Sequence, residues 1–178
     1  MSDQSDPLIQ VSAALANRVA TAKTALVAIR LSAGRHLTGT FVATLVVTSD
    51  QSLTKRDVFE AVTADGSTAS AKVAGRDPGT NIAVLKLSQA VSSGSANPGD
   101  SQVGALVLAI GADASGGASA RMGVVNAIGP EWYSSLGGRI DKRMVLDIDL
   151  GRSEEGLQSR WSIWWSTRRT RAPLLWPI

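Results

Sequence analysis

The stretch RDPGTNIAVLKL, residues 76–87, decides the fold of this chain. An Asp-Pro-Gly turn signal comes first, and the apolar run IAVLKL after it is typical of a strand with a buried face. Directly before it, residues 58–77 alternate apolar and polar side chains on both sides of Asp65-Gly66. Because Asp-Gly favours a tight hairpin turn, residues 58–87 predict three consecutive strands.

Further short apolar runs with glycine-containing turns extend outward from this stretch in both directions. Many short strands at regular spacing predict an all-β barrel or sandwich, preceded by one short helix. The predicted helix covers residues 8–22, a loose segment at 91–101 separates two halves, and residues 112–120 form a flexible loop. The predicted strands lie at 24–31, 39–49 (two strands with a turn near Ala43-Thr44), 81–87, 103–111, 122–129 and 143–150.

Four of these segments together resemble the trypsin-like serine protease domain of the HtrA family. They are GTFVATLVVTS at 39–49, AKVAGRDPGTNIAVLKL at 71–87, VGALVLAIG at 103–111 and MGVVNAIG at 122–129. The resemblance covers about residues 10–156 and implies two six-stranded β-barrels with the active site between them. We therefore expect an all-β, trypsin-like double β-barrel whose second barrel is incomplete, with a short N-terminal helix. The expected divisions are 1–90 for the helix and first barrel, 91–156 for a partial second barrel and 157–178 for an atypical tail.

The resemblance also implies where a catalytic Ser-His-Asp triad would lie. The family's histidine position falls in Thr48-Ser49-Asp50-Gln51, so it holds Gln51, and its aspartate position holds Asn81. An amide does not accept a proton near pH 7, so Gln51 is not a general base. Asn81 orients a neighbour by hydrogen bonding but does not stabilise an imidazolium by charge.

The family's nucleophile segment is represented by residues 151–155, which read GRSEE. Ser153 occupies the nucleophile position, and the backbone amide of Gly151 occupies an oxyanion-hole position. Glu154 and Glu155 replace two glycines of the family pattern, and a carboxylate beside Ser153 opposes a developing oxyanion. We expect a surface-loop serine as readily as a nucleophile at Ser153.

Composition and charge exclude several classes of function. The chain has no cysteine, so it forms no disulfide and has no thiolate nucleophile or thiolate metal site. All 15 acidic residues but only 14 of the 18 basic ones lie in residues 1–155, so this part carries one net negative charge. We therefore expect no nucleic-acid partner, no metal and no cofactor. The polar, acidic start and the lack of a long apolar run predict no membrane span and a cytoplasmic location.

Residues 157–178 have a different composition from the rest of the chain. They hold four of the five tryptophans and no acidic residue, and they contain no strand pattern of the kind that a second barrel needs. One interpretation is a basic, Trp-rich anchor for a membrane surface or a nucleic acid. The other is a shifted reading frame: Trp164-Trp165 is encoded by TGGTGG, which contains a valine codon in an adjacent frame. Sequencing the gene decides between them.

The remaining candidates are interpreted as ordinary surface features. We expect His36, the only histidine, to be an exposed turn residue and not a substitute base. Asp147 and Asp149 alternate on one strand but lack further metal ligands. Gly116-Gly117 is interpreted as loop flexibility and not as a phosphate cradle. Three basic residues are interpreted as a solvated charge cluster and not as a site for an acidic partner: Arg139, Lys142 and Arg143.

Three functional hypotheses follow from the sequence. The first is an HtrA-like serine endopeptidase domain with little or no peptidase activity, acting on or binding polypeptides. The second is a non-catalytic module that binds or scaffolds peptides in the same cleft, by pairing with an extended strand. The third is the Trp-rich anchor on a β-domain. The oligomeric state is not predicted.

Overall fold

The computed structural model describes residues 6–89 and 102–148, and the backbone of 163–165 and 175–177. Its helix is α1 (Pro7–Lys23), and its first strands are β1 (Leu26–Ser32), β2 (Arg35–Val42), β3 (Leu45–Ser49), β4 (Val58–Thr63), β5 (Thr68–Asp77) and β6 (Ile82–Leu87). The later strands are β7 (Leu106–Ala112), β8 (Ala118–Gly129), β9 (Trp132–Tyr133), β10 (Arg139–Ile140), β11 (Lys142–Asp147), β12 (Ile163–Trp165) and β13 (Leu175–Pro177).

Strands β1 to β6 close into an antiparallel barrel in the order β1-β2-β3-β6-β5-β4. The alternation seen in the sequence has its expected effect, because alternate residues of each strand point into the barrel. Leu85, Val46 and Ile29 are almost completely buried there and are joined by Phe41 and Phe59. The first barrel is therefore complete within residues 26–87.

The second half forms a five-stranded sheet in the order β12-β11-β8-β7-β13. Its own core is small and centres on Val107, Val125 and Met144. Strands β9 and β10 form a separate two-stranded sheet. The fold is all-β with one closed barrel and an incomplete second barrel, as the sequence predicted.

Helix α1 packs between the two halves through its C-terminal part. Asp6 caps the helix by accepting a hydrogen bond from the Leu8 amide at 2.9 Å, and Pro7 fills the first turn, where its missing N–H costs nothing. Leu15 and Val19 pack against a buried cluster that joins β1, β4 and β7. Among the described residues, no helix is long and apolar enough to cross a membrane.

The structure corrects three sequence-based expectations. The flexible loop expected at 112–120 is only the turn 113–117, since β7 continues to Ala112 and β8 begins at Ala118. The β9–β10 hairpin was not predicted. In the tail, where no strand was expected, β12 pairs with β11 and β13 pairs with β7.

Candidate active site

The end of β3 and the start of β6 bring two of the predicted site residues together. The two strands are antiparallel neighbours, and Ser49 lies opposite Ile82. Gln51, two residues after the end of β3, therefore lies beside Asn81, the residue that precedes β6. Gln51 is exposed and Asn81 is half-buried, so both border the surface.

Asn81 is the centre of a hydrogen-bond network at this point. Its side-chain Oδ1 accepts from the backbone amide of Gln51 at 2.8 Å and from the hydroxyl of Ser49 at 3.1 Å. Its backbone carbonyl accepts from the amide of Asp50 at 3.2 Å. Asn81 has φ +57°, a left-handed conformation that asparagine tolerates better than most residues. In this conformation Asn81 accepts hydrogen bonds from three successive residues, 49–51, at the end of β3.

The turn before Asn81 is closed by Asp77. One carboxylate oxygen, Oδ1, accepts from the amides of Gly79 at 2.9 Å and Thr80 at 3.3 Å, and Oδ2 accepts from the Thr80 hydroxyl at 2.6 Å. The Thr80 hydroxyl is the main reason that the pKa of Asp77 is lowered, and the two amides act in the same direction. The turn signal in the sequence therefore corresponds to a carboxylate-capped turn that leads into Asn81.

Arg76 fixes the loop that carries Gln51, and sequence reasoning missed it. Its guanidinium forms an ion pair with Asp50 at 2.8 Å, and the Asp50 side chain is only 11% exposed. The same group donates to the backbone carbonyls of Thr54 at 2.6 Å and Arg56 at 3.3 Å. No signal in one sequence distinguishes Arg76 from a solvated arginine, because its partners lie about 20 or more residues away along the chain.

The chemistry of this site follows from the donors and acceptors present. The Asn81 oxygen is used by an N–H and an O–H donor, so it orients the Ser49–Gln51 segment. The Gln51 side chain is an amide and therefore does not remove a proton from a hydroxyl near neutral pH. The structure brings together Gln51 and Asn81, whereas Gly151 and Ser153 lie outside the described residues. Their roles as catalytic positions stay predictions.

His36 lies in a different environment from the one expected. It is half-buried at the start of β2, opposite Arg30, and not exposed as predicted. Its Nε2 is buried and has no hydrogen-bond partner among the described residues. The imidazole contributes electrostatically to the lowered pKa of Asp113, after larger contributions led by the Ser115 hydroxyl. His36 therefore lies near the 113–117 turn, whose Ala114 carbonyl accepts from the neighbouring Arg30 at 3.3 Å.

The remaining surface candidates have structural roles where they are described. Gly116 has φ +84°, and a Cβ atom there would collide with the carbonyl of Thr63, so the Gly-Gly pair is a tight turn against the first barrel. Arg139 pairs with Glu131 at 2.5 Å and with Asp141 at 3.5 Å, so this part of the basic cluster is neutralised. Across the ranges that the structure describes, no three acidic or histidine side chains form a metal-binding group.

Comparisons with known proteins agree with this architecture. A family model described as "Trypsin-like peptidase domain" matches residues 31–155. The solved structure of Deg5 is similar with a TM-score of 0.70 and 22% identity, over 82% of this chain and 78% of that one. The MamO protease domain from Magnetospirillum magneticum, in its apo form, is similar with a TM-score of 0.61 and 21% identity, over 76% of this chain and 78% of that one. No curated protein matches the chain. At these identities the two structures show the fold alone.

Proposed function

Because the chain belongs to the trypsin-like peptidase domain family, we propose that it is an HtrA-type serine endopeptidase domain that is catalytically impaired. In this proposal Ser153 occupies the nucleophile position, and Gly151 supplies an oxyanion amide. Gln51 occupies the position of the histidine base, and Asn81 that of the aspartate. The expected ligand is a polypeptide, and no cofactor or metal is needed for it to bind.

The observation that carries the proposal is the 2.8 Å hydrogen bond that the backbone amide of Gln51 donates to Asn81 Oδ1. It supports the assignment of the two positions, because a triad needs its orienting residue beside the residue that carries the base. The network supplies an oriented backbone without a group that takes up a proton. Loss of the base and of the charged orienter together costs about as much as loss of one essential member, on the order of 10⁴- to 10⁶-fold in turnover.

Hydrolysis of casein and of fluorogenic peptides tests the impairment. We expect the wild-type rate to equal that of Ser153→Ala within the background of the assay. A wild-type rate that Ser153→Ala abolishes would refute the proposal. The double variant Gln51→His with Asn81→Asp restores a base and a charged orienter on the same backbone. If only the lost base and orienter prevent catalysis, this double variant regains activity. If Glu154 and Glu155 have also altered the nucleophile loop, the double variant stays inactive.

A second candidate function is a peptide-binding module that uses the cleft without cleavage. The Arg76–Asp50 ion pair and the Asn81 bonds favour it, since they keep the Gln51 loop ordered although the base is absent. Isothermal titration with extended peptides tests this candidate, and saturable binding of peptides that mass spectrometry recovers intact is expected. A flat titration with a folded protein would contradict it.

The divisions 1–90, 91–156 and 157–178 are proposed as the helix with the first barrel, the partial second barrel and the atypical tail. We also propose that the domain has no nucleic-acid or membrane partner. Deletion of residues 157–178 then leaves nucleic-acid and liposome binding at background, as in the full chain. Binding that the full chain shows and the shortened chain lacks would favour the anchor.

A further inference from the structure

The hairpin of β9 and β10 lies against the candidate site although it belongs to the second half of the chain. Four hydrogen bonds close its turn, and Ser134 takes part in all of them. The Ser134 amide donates to the Gly138 carbonyl at 2.8 Å, and the Ser134 carbonyl accepts from the Gly137 amide at 3.0 Å. The Ser134 hydroxyl accepts from the amides of Gly138 at 3.1 Å and Leu136 at 3.3 Å. Each strand has only two residues, so these bonds hold much of the hairpin in place.

The hairpin meets the Asp77–Asn81 turn through two glycines. A Cβ atom built on Gly79 would lie 3.0 Å from the Cα and the N of Gly138. A Cβ atom built on Gly138 would overlap the carbonyl of Gly79 and would lie 2.7 Å from the amide nitrogen of Thr80. Real Cβ atoms do not approach backbone this closely, so the contact requires glycine at position 138.

The contact lies one residue from the network of the candidate site. Thr80, whose amide faces Gly138, is followed directly by Asn81. The Asn81 side chain accepts from Gln51 and Ser49, so a shift of the Thr80 backbone changes both hydrogen bonds. Each bond weakens steeply when its distance or angle departs from the favoured range.

We propose that the β9–β10 hairpin is a positioning element for the candidate active site. It acts through the backbone contact of Gly138 with Gly79 and Thr80, which sets the conformation of the turn that leads into Asn81. A displacement of the hairpin then changes the hydrogen bonds that hold the Gln51 backbone. The effect of this coupling on peptide binding rests on the proposed function, whereas the coupling itself does not.

Amide hydrogen exchange of the full chain, followed by NMR, tests the coupling without a ligand. In Gly138→Ala we expect hydrogen exchange at the backbone amide of Gln51 to rise about five- to tenfold, because the hydrogen bond of this amide to Asn81 is lost. The matched control is Gly129→Ala on β8, where a Cβ atom makes an ordinary 3.6 Å contact with Arg143, and exchange at Gln51 stays at the wild-type rate.

Ser134→Ala is a second, milder variant that removes the hydroxyl acceptor of the hairpin turn without a clash. We expect faster exchange at Gly138 and, in the same direction but smaller, at Gln51. If Gly138→Ala does not fold, Ser134→Ala decides the question. Faster exchange at Gly138 with wild-type exchange at Gln51 would overturn the proposal.

Peptide titration of the same variants separates this proposal from the function proposed above. Faster Gln51 exchange with no peptide binding in any variant supports the coupling and counts against the peptide-binding module. Peptide binding of equal affinity in wild type and variants, with unchanged Gln51 exchange, contradicts the coupling alone.

Discussion

Asn81 joins the end of β3 to the start of β6 through one side-chain oxygen. Asn81→Ala removes this acceptor and leaves the Gln51 amide and the Ser49 hydroxyl without it. We expect a loss of about 1–3 kcal/mol in the free energy of unfolding, measured by urea denaturation. Asn81→Gly also lacks the acceptor, but glycine adopts the left-handed φ without strain. Comparison with Asn81→Ala therefore separates backbone strain from the lost hydrogen bonds. Asn81→Asp keeps the acceptor. Wild-type stability of both Asn81→Ala and Asn81→Gly would contradict the network.

Asp77 makes the stability of the fold depend on pH below neutrality. Hydrogen bonds led by that of the Thr80 hydroxyl lower the pKa of Asp77 in the folded chain. The unfolded chain then binds more protons, so this stabilisation is present above about pH 4 and is lost as the pH falls through the folded pKa. Thr80→Ala removes this hydroxyl, so the pKa of Asp77 in the folded chain is lowered less than in the wild type. The stability deficit of this variant relative to wild type should therefore shrink between pH 5 and about pH 2.

Urea denaturation at a series of pH values measures this deficit. Thr68→Ala, a substitution at an exposed position on β5, is the control, and its difference from wild type should not change in the same window. A Thr80→Ala deficit that stays constant down to pH 2 would show that the Asp77 carboxylate does not depend on this hydroxyl.

The sequence predicted residues of the site only where they belong to a contiguous motif. Asn81 follows the Asp77 turn directly and is reached from RDPGTN, and Gln51 follows the strand that ends at Ser49. Arg76 and Gly138 escaped prediction because their partners are distant in the chain. Nothing local distinguishes an arginine that pairs with Asp50, or a glycine that touches Gly79, from any surface residue.

Gly39 sets the packing of β2 inside the first barrel. A Cβ atom there would overlap Val46 and lie 3.0 Å from side-chain atoms of Ile29 and Val27. We expect Gly39→Ala to cost about 1–3 kcal/mol by overpacking, observed as a lower Tm in calorimetry. Gly75→Ala on β5 is the control, since no heavy atom of the described residues lies within 4 Å of its added methyl group. Equal Tm values for the two variants would contradict this account of the core.

Elements with strong periodicity were predicted and weak ones were missed. The β4–β5 hairpin was identified from Asp65-Gly66, because this turn chemistry is local. The β9–β10 hairpin has two residues per strand, too few for any alternation to be visible. The prediction that His36 is exposed was wrong for a third reason: β2 begins at Arg35, earlier than predicted, so His36 pairs with Arg30 of β1 and is half-buried.

The two halves of the molecule are joined by a buried hydrogen bond from the Ala112 amide to the Thr38 hydroxyl at 2.9 Å. Thr38→Val keeps the side-chain shape and leaves this amide without that acceptor. We expect a loss of about 1–3 kcal/mol in the free energy of unfolding. Thr40→Val, two residues along β2, is the matched control: its hydroxyl oxygen is buried without a hydrogen-bond partner among the described residues, so the substitution should be neutral or stabilising. Equal losses in both variants would contradict the role of Thr38.

At the scale of the whole molecule, the repeated short apolar runs predicted an all-β barrel or sandwich. The resemblance to the HtrA family implied the more specific double barrel with an incomplete second half, and the structure has one closed barrel and a five-stranded sheet. The central claim is that the proposed site lacks a base that activates Ser153. Reaction with a fluorophosphonate tests this claim most directly. Such reagents modify a trypsin-fold serine only when a neighbouring base activates it. We predict that the intact mass of the wild-type protein stays unchanged while an active protease of the same fold is labelled in parallel. A stoichiometric mass increase that Ser153→Ala abolishes would contradict the account.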